Sequence, residues 1–246
     1  MFKSIVLFVL VSLTSVSASA ATVMTVLVTG ANRGIGLEMV KQMRAQGLDV
    51  IGTARKPAEA EELRATGARV EQLDVTDAES LAALAETLKG VKIDMLVNNA
   101  GVGGQAPVSF RETDFAATDW TFAVNTLGPM RVTQALIDNL DAGKHKTVIH
   151  ISSVMGSIER NRGGYYGYRA SKAALNMMNK SLAQELGEEG YTCVVMHPGW
   201  VQTRMGGPGA AITSEESVKG MLQVFAGLGT KDNGRFYDYQ GESIPW

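Results

Sequence analysis

The stretch VTGANRGIGLEM, residues 28–39, joins an apolar run, MTVLVT (24–29), to a segment of helical period. Its glycines, Gly30, Gly34 and Gly36, are spaced G-x-x-x-G-x-G. Glycine permits a tight turn and lets backbone approach a ligand closely. A helix opening directly after such a turn offers free N–H groups and the positive end of its dipole to an anion. Strand, glycine loop and helix in that order form a cradle for the phosphates of a dinucleotide. The plainer alternative is a structural turn.

Outward from this loop, strand-like and helix-like segments alternate. Strand-like runs are LDVIGT (48–53), ARVEQL (68–73), IDMLVN (93–98), KTVIHIS (146–152) and TCVVMH (192–197), with GRFYDY (234–239) a weaker seventh. Helical period appears in 36–47 and 78–90. Regular alternation implies βαβ units and a parallel sheet covered on both faces, and near-continuous apolar strands fit that burial. The expectation is an α/β chain: one doubly wound domain of about seven parallel strands over residues 21–246, with ligands at the carboxyl ends of the strands.

The 246 residues are 45% hydrophobic and carry a net charge of −2. That is enough for one sizeable core, and it lacks the basic field of a nucleic-acid binder. A single cysteine, Cys193, excludes an intrachain disulfide; in a strand-like run it reads as a small buried hydrophobe. His145, His150 and His197 lack ligand spacing, so no metal is expected. The first twenty residues differ from the rest. Lys3, an apolar run from Ile5 to Leu13 and Ala18-Ser19-Ala20 follow the order of a cleavable export signal, and the run is too short for a membrane span. Export to the periplasm or medium is the expectation; a start at Met24 would instead leave a cytoplasmic domain.

The second strand bears on which dinucleotide binds. An acid at its end would hold a ribose 2′-hydroxyl, yet the strand ends Thr53-Ala54-Arg55-Lys56. Arg55, joined by Arg33 of the glycine loop, can take a 2′-phosphate in charge-assisted hydrogen bonds. NADP is therefore expected over NAD, with NADPH favoured over NADH.

Three tyrosines crowd GGYYGYRASKAAL (163–175), but only Tyr168 has a lysine, Lys172, four residues on. On a helix these share a face, and an ammonium beside a phenol lowers its pKa. A tuned phenol can give a proton to a carbonyl oxygen or take one from an alcohol.

Seven pieces now stand in one order: TGANRGIG (29–36), LDVTD (73–77), NNAG (98–101), VN (124–125), ISS (151–153), YRASK (168–172) and HPGWVQT (197–203). In these the chain resembles the short-chain dehydrogenase/reductase family, a Rossmann-type fold, from residue 24 to its end. YRASKAALNMM, HPGWVQTRMGGP and the final IPW add a likeness to its C-factor-like and sniffer-like carbonyl reductase branch. The resemblance implies Tyr168 as general acid/base and Lys172 as its partner and ribose ligand. It implies Ser153 as the substrate's hydrogen-bond partner and Asn125 as holder of a relay water. Ser152 and Ser157 are second choices for the substrate, because Ser153 and Tyr168 are separated more widely than is common in the family. Cofactor contacts would come from Gly30, Arg33, Gly34, Ile35 and Gly36, from Arg55, Asp74 and Val75, and from Asn98, Ala100 and Gly101. Tyr168, Lys172, Pro198, Gly199, Val201 and Thr203 would complete them. Tyr165 and Tyr166 are left to packing or the pocket wall.

The expected reaction is hydride transfer between NADP(H) and a small carbonyl or alcohol. The alternative is a C-factor-like signalling or binding protein on the same fold. The small residues of RMGGPGAAITSEE (204–216) read as a short mobile lid over the substrate. The family resemblance also implies a homodimer or homotetramer built on the helices carrying Asn125 and Tyr168.

Overall fold

A computed structural model describes residues 23–106 and 109–246. The proposed export signal lies outside these residues. Seven strands form one parallel sheet: β1 Thr25–Val28, β2 Asp49–Ala54, β3 Arg69–Gln72, β4 Met95–Asn98, β5 Thr147–Ile151, β6 Thr192–His197 and β7 Phe236–Asp238, in the order β3-β2-β1-β4-β5-β6-β7. All seven expected strands are present, most a residue or two shorter than the apolar runs. The doubly wound reading is correct.

Period two explains why the inner strands are largely apolar, whereas the edge strand β3, Arg-Val-Glu-Gln, keeps exposed polar residues. Val26 and Val28 face one core with Met39, Val40, Val97, Met221 and Phe225. Leu27 faces the other with Leu84, Leu96, Val132, Val148 and Cys193. Successive side chains of a strand point to opposite faces, so inner strands covered by helices on both sides have few polar alternates. Helices α1 (Gly34–Ala45) and α8 (Ser214–Ala226) pack together on the first face. On the second lie α3 (Ala78–Thr87), α5 (Gly128–Ala135) and α7 (Tyr166–Gly187), while α2 (Glu61–Ala65), α4 (Phe115–Phe122) and α6 (Ile137–Asp141) complete the set. Cys193 is fully buried with its thiol pushed up to about 12 by desolvation, a packing group and not a reactive one.

Several helices begin at side-chain caps. Asp77 accepts from Glu79 N at 3.0 Å to start α3, and Thr213 and Glu216 cap each other's turn at α8. At α1 the cap residue Arg33 makes no such bond, leaving the first N–H groups of the helix open toward the strand ends. Strand β1 pairs with β2 on one side and β4 on the other. The crevice at that reversal is where ligands bind in open sheets of this kind. Among the described residues no helix is long and apolar enough to cross a membrane, and no group of metal-ligating side chains is present.

Candidate active site

The crevice floor is built from glycine. Gly30 and Gly34 have φ of +63° and +55°, the left-handed region where a side chain is strained. A Cβ at Gly30 would stand 2.9 Å from Ala100 Cα, and one at Gly36 would run into Gly30 O and Asn99 Nδ2. Asn99 knits the two strand ends together. Its Nδ2 donates to Thr29 O at 2.9 Å and Gly30 O at 3.2 Å, while its backbone N and that of Ala100 both donate to Thr29 Oγ1 at 3.0 Å.

The structure corrects the reading of Asn98. It does not line the crevice: it is buried on the α5 face, where Nδ2 donates to Thr133 Oγ1 at 3.0 Å and meets His150 Nδ1 at 3.2 Å. In β4 Asn98 falls on the face of Leu96, so Asn99 is the one of the pair turned to the crevice. Burial and the Lys172 charge hold His150 neutral, down at about 3. Ala100 and Gly101 do line the crevice, with Ile35, Pro198 and Thr203. The side chains of Val75 and Val201 are buried instead, and Gly199 packs toward Ile212 and Tyr239.

At one end the crevice adjoins a recess lined by Asn32, Arg33, Arg55, Lys56, Glu59 and Asp74. Lys56 is engaged by Glu59 at 2.9 Å. Among the described residues Arg33 and Arg55 make no ion pair. Desolvation and the neighbouring charges of Arg204 and Arg55 lower the proton affinity of Arg33. Asp74 is fixed by Thr76, whose N and Oγ1 donate to its Oδ1 at 2.9 and 2.7 Å.

At the other end stand Tyr168 and Lys172. The Lys172 ammonium is buried, donates to Ile151 O at 2.8 Å and lies 6.0 Å from the centre of the Tyr168 ring. Desolvation brings it down to about 8. Tyr168 departs from expectation. Spacing predicts a phenol lowered by its lysine, but burial raises it, and the Ser153 hydroxyl beside it opposes only part of that rise.

Ser153 is held there by a glycine that sequence reasoning passed over. The turn Val154–Gly156 follows Ser153, whose Oγ accepts from Met155 N at 3.2 Å. A Cβ at Gly156 would lie 2.8 Å from Lys172 C, so the turn touches the α7 backbone. Asn176, one turn past Lys172, donates to Gly156 O at 3.2 Å and accepts from Ser152 Oγ at 2.7 Å. Ser152 is thus engaged, and Ser157 is occupied near the C-terminus by Trp246 O and Arg160 N. Of the three candidate serines, Ser153 is the one whose hydroxyl bears on the Tyr168 phenol.

Asn125 sits in a single π-helical turn, Ala123–Leu127, between α4 and α5; such wide turns recur at functional sites. Its Oδ1 accepts from Val102 N at 2.8 Å, and Nδ2 donates to Val102 O and Ser171 Oγ. A Cβ at Gly101 would lie 3.3 Å from Asn125 Oδ1 and 3.9 Å from Lys172 Nζ. Both groups therefore border one small space above Gly101.

Residues 24–211 match the short chain dehydrogenase family. The protein belongs to this family. The short-chain dehydrogenase is 48% identical to C-signal of Myxococcus xanthus over 155 residues, 63% of this chain and 93% of that protein. It is also similar to the NADPH-bound carbonyl reductase of chicken fatty liver, with 35% identity and a TM-score of 0.84, covering 91% of this chain and 99% of that one. Against the carbonyl reductase Sniffer of D. melanogaster the values are 30% and 0.86, with 91% and 100% covered.

Proposed function

We propose that this short-chain dehydrogenase is an NADPH-dependent reductase of a small carbonyl compound, with Tyr168 as the proton donor. One observation carries the reading: a glycine cradle that a Cβ at Gly30 or Gly36 would fill lies in the same crevice as the Tyr168–Lys172 pair, with Ser153 close enough to the phenol to favour its ionised form. The bound nicotinamide would supply the hydride.

In this reading the cradle of Gly30, Gly34 and Gly36 and the open N–H groups of α1 hold the pyrophosphate. Arg33 and Arg55 hold the 2′-phosphate, which makes NADPH the preferred cofactor. The chicken liver enzyme's NADPH supports that choice. Ser153 hydrogen-bonds the substrate carbonyl oxygen and Tyr168 protonates it. The raised phenol suits this direction, because it keeps its proton at neutral pH. Lys172 donates to the nicotinamide ribose and offsets the charge that develops on the phenolate. A water in the space between Asn125 Oδ1 and Lys172 Nζ would return the proton from solvent.

The similarity to C-signal favours a second reading, a signalling protein that uses the fold without turnover. A panel of aldehydes and ketones assayed for NADPH and NADH consumption separates the two. Steady consumption of NADPH, with NADH much poorer, is expected. Cofactor binding without consumption on any substrate would favour the signalling reading.

A further inference from the structure

The loop after β6 carries a cation that the reaction outlined above does not use. Arg204 lines the crevice together with Arg33, Gly34 and Ile35, the first residues of α1 and its cap. It does not line the adjoining recess of Arg55 and Asp74. The loop rests directly on the cradle, since a Cβ at Gly34 would touch Thr203 Cγ2 at 3.5 Å.

The loop is also braced internally. Thr203 Oγ1 and O accept from Gly206 N at 3.1 Å and Gly207 N at 2.9 Å, and Trp200 Nε1 donates to Gly206 O at 2.9 Å. Val201 pairs with Ile212 at its base. Neighbours in the loop diverge: Met205 reaches Gly103, 3.2 Å from where its Cβ would be, beside the Tyr168 end. Arg204 stays at the α1 end, close enough to Arg33 for the two charges to disfavour each other. Among the described residues Arg204 has neither an ion pair nor a hydrogen-bond partner for its side chain. Three guanidinium groups, Arg55, Arg33 and Arg204, thus follow one another along the site with no carboxylate paired to them. Such a row is unfavourable alone and favourable around phosphates.

We infer that Arg204 is a clamp on the dinucleotide's pyrophosphate, acting from the loop after β6 and separate from the arginines assigned to the 2′-phosphate. The inference rests on the proposed cofactor reading. Because NADH and NADPH share the pyrophosphate, the clamp tightens both equally and does not contribute to the choice between them.

Equilibrium binding tests this without any turnover. Dissociation constants of NADPH, NADH and adenosine 2′-monophosphate are measured by calorimetry for the wild type, Arg204→Gln and Arg55→Gln, with melting temperatures confirming that each variant folds. Arg204→Gln is expected to weaken NADPH and NADH by the same factor, about tenfold for one charge-assisted contact, and to leave adenosine 2′-monophosphate unchanged. Arg55→Gln is expected to weaken NADPH and adenosine 2′-monophosphate and to spare NADH. Unchanged binding of both dinucleotides by Arg204→Gln overturns the clamp. Loss confined to NADPH and adenosine 2′-monophosphate overturns it too, by assigning Arg204 to the 2′-phosphate. A wild type that binds no dinucleotide instead overturns the cofactor reading on which the clamp depends.

Discussion

Lys172→Met should give a protein that is more stable and does not turn over. The Lys172 ammonium is buried, with its pKa brought down from 10.5 to about 8 by desolvation. At about 1.4 kcal/mol for each pKa unit, keeping the charge in the fold at pH 7 costs about 3 kcal/mol. Methionine fills a similar volume without the charge, but it leaves Ile151 O without its 2.8 Å donor, a loss of about 1–2 kcal/mol. The net expectation is a gain of about 1–2 kcal/mol, or roughly 2–6 °C in Tm for a chain of this size. The gain should fade as pH rises. Between about 8 and 10.5 the unfolded chain keeps the lysine proton while the folded one sheds it, so wild-type stability climbs relative to the variant in that window. Differential scanning calorimetry of both proteins at pH 7 and at pH 10 measures the difference, and NADPH consumption should be at least about a hundredfold lower in the variant. A variant less stable than wild type at pH 7, by a margin that does not change with pH, would refute the reasoning.

Other outcomes follow from the same geometry. Arg55→Ala should raise the KM for NADPH about 10- to 100-fold through loss of a charge-assisted contact, with little change for NADH, as steady-state kinetics with each cofactor will read. Because burial raises Tyr168, carbonyl reduction should be flat across neutral pH and alcohol oxidation should increase toward alkaline pH, where the phenolate forms; a pH–rate profile in each direction checks this. Gly36→Ala forces a methyl group against Gly30 O and Asn99 Nδ2, so it should destabilise the fold by about 1–3 kcal/mol and weaken NADPH at least tenfold in a binding titration. If the N-terminal twenty residues are an export signal, N-terminal sequencing of the native protein will begin at Ala21 and not at Met24 or Thr25.

The sheet was legible because its inner strands are buried on both faces and so read as apolar runs, and because the glycine loop follows the first strand. The pairing of Tyr168 with Lys172 was legible because one helical turn separates them. What escaped had other causes. Asn98 was mistaken for its neighbour Asn99, although period two along Met95–Asn98 groups Asn98 with Leu96 on the α5 face. Gly156 was missed because its role is a close approach to Lys172 across sixteen residues of sequence, which no local pattern encodes. Arg204 was overlooked because it stands among small residues, and only the folding of its loop onto Gly34 brings it to the cradle. The direction of the Tyr168 shift differs from the expectation because spacing reveals the lysine but not the desolvation of the phenol, which raises it.

The central claim is that Tyr168 gives the proton and does little else. Single-turnover reduction of a carbonyl substrate by NADPH-loaded wild type and Tyr168→Phe tests it most directly, with the NADPH dissociation constant measured on the same samples. The phenylalanine keeps the ring and removes the hydroxyl. The expected result is NADPH binding within about threefold of wild type and a hydride-transfer rate lower by about 10²–10⁴-fold, with Tyr165→Phe and Tyr166→Phe close to wild type. Hydride transfer at a near-normal rate in Tyr168→Phe would contradict the account.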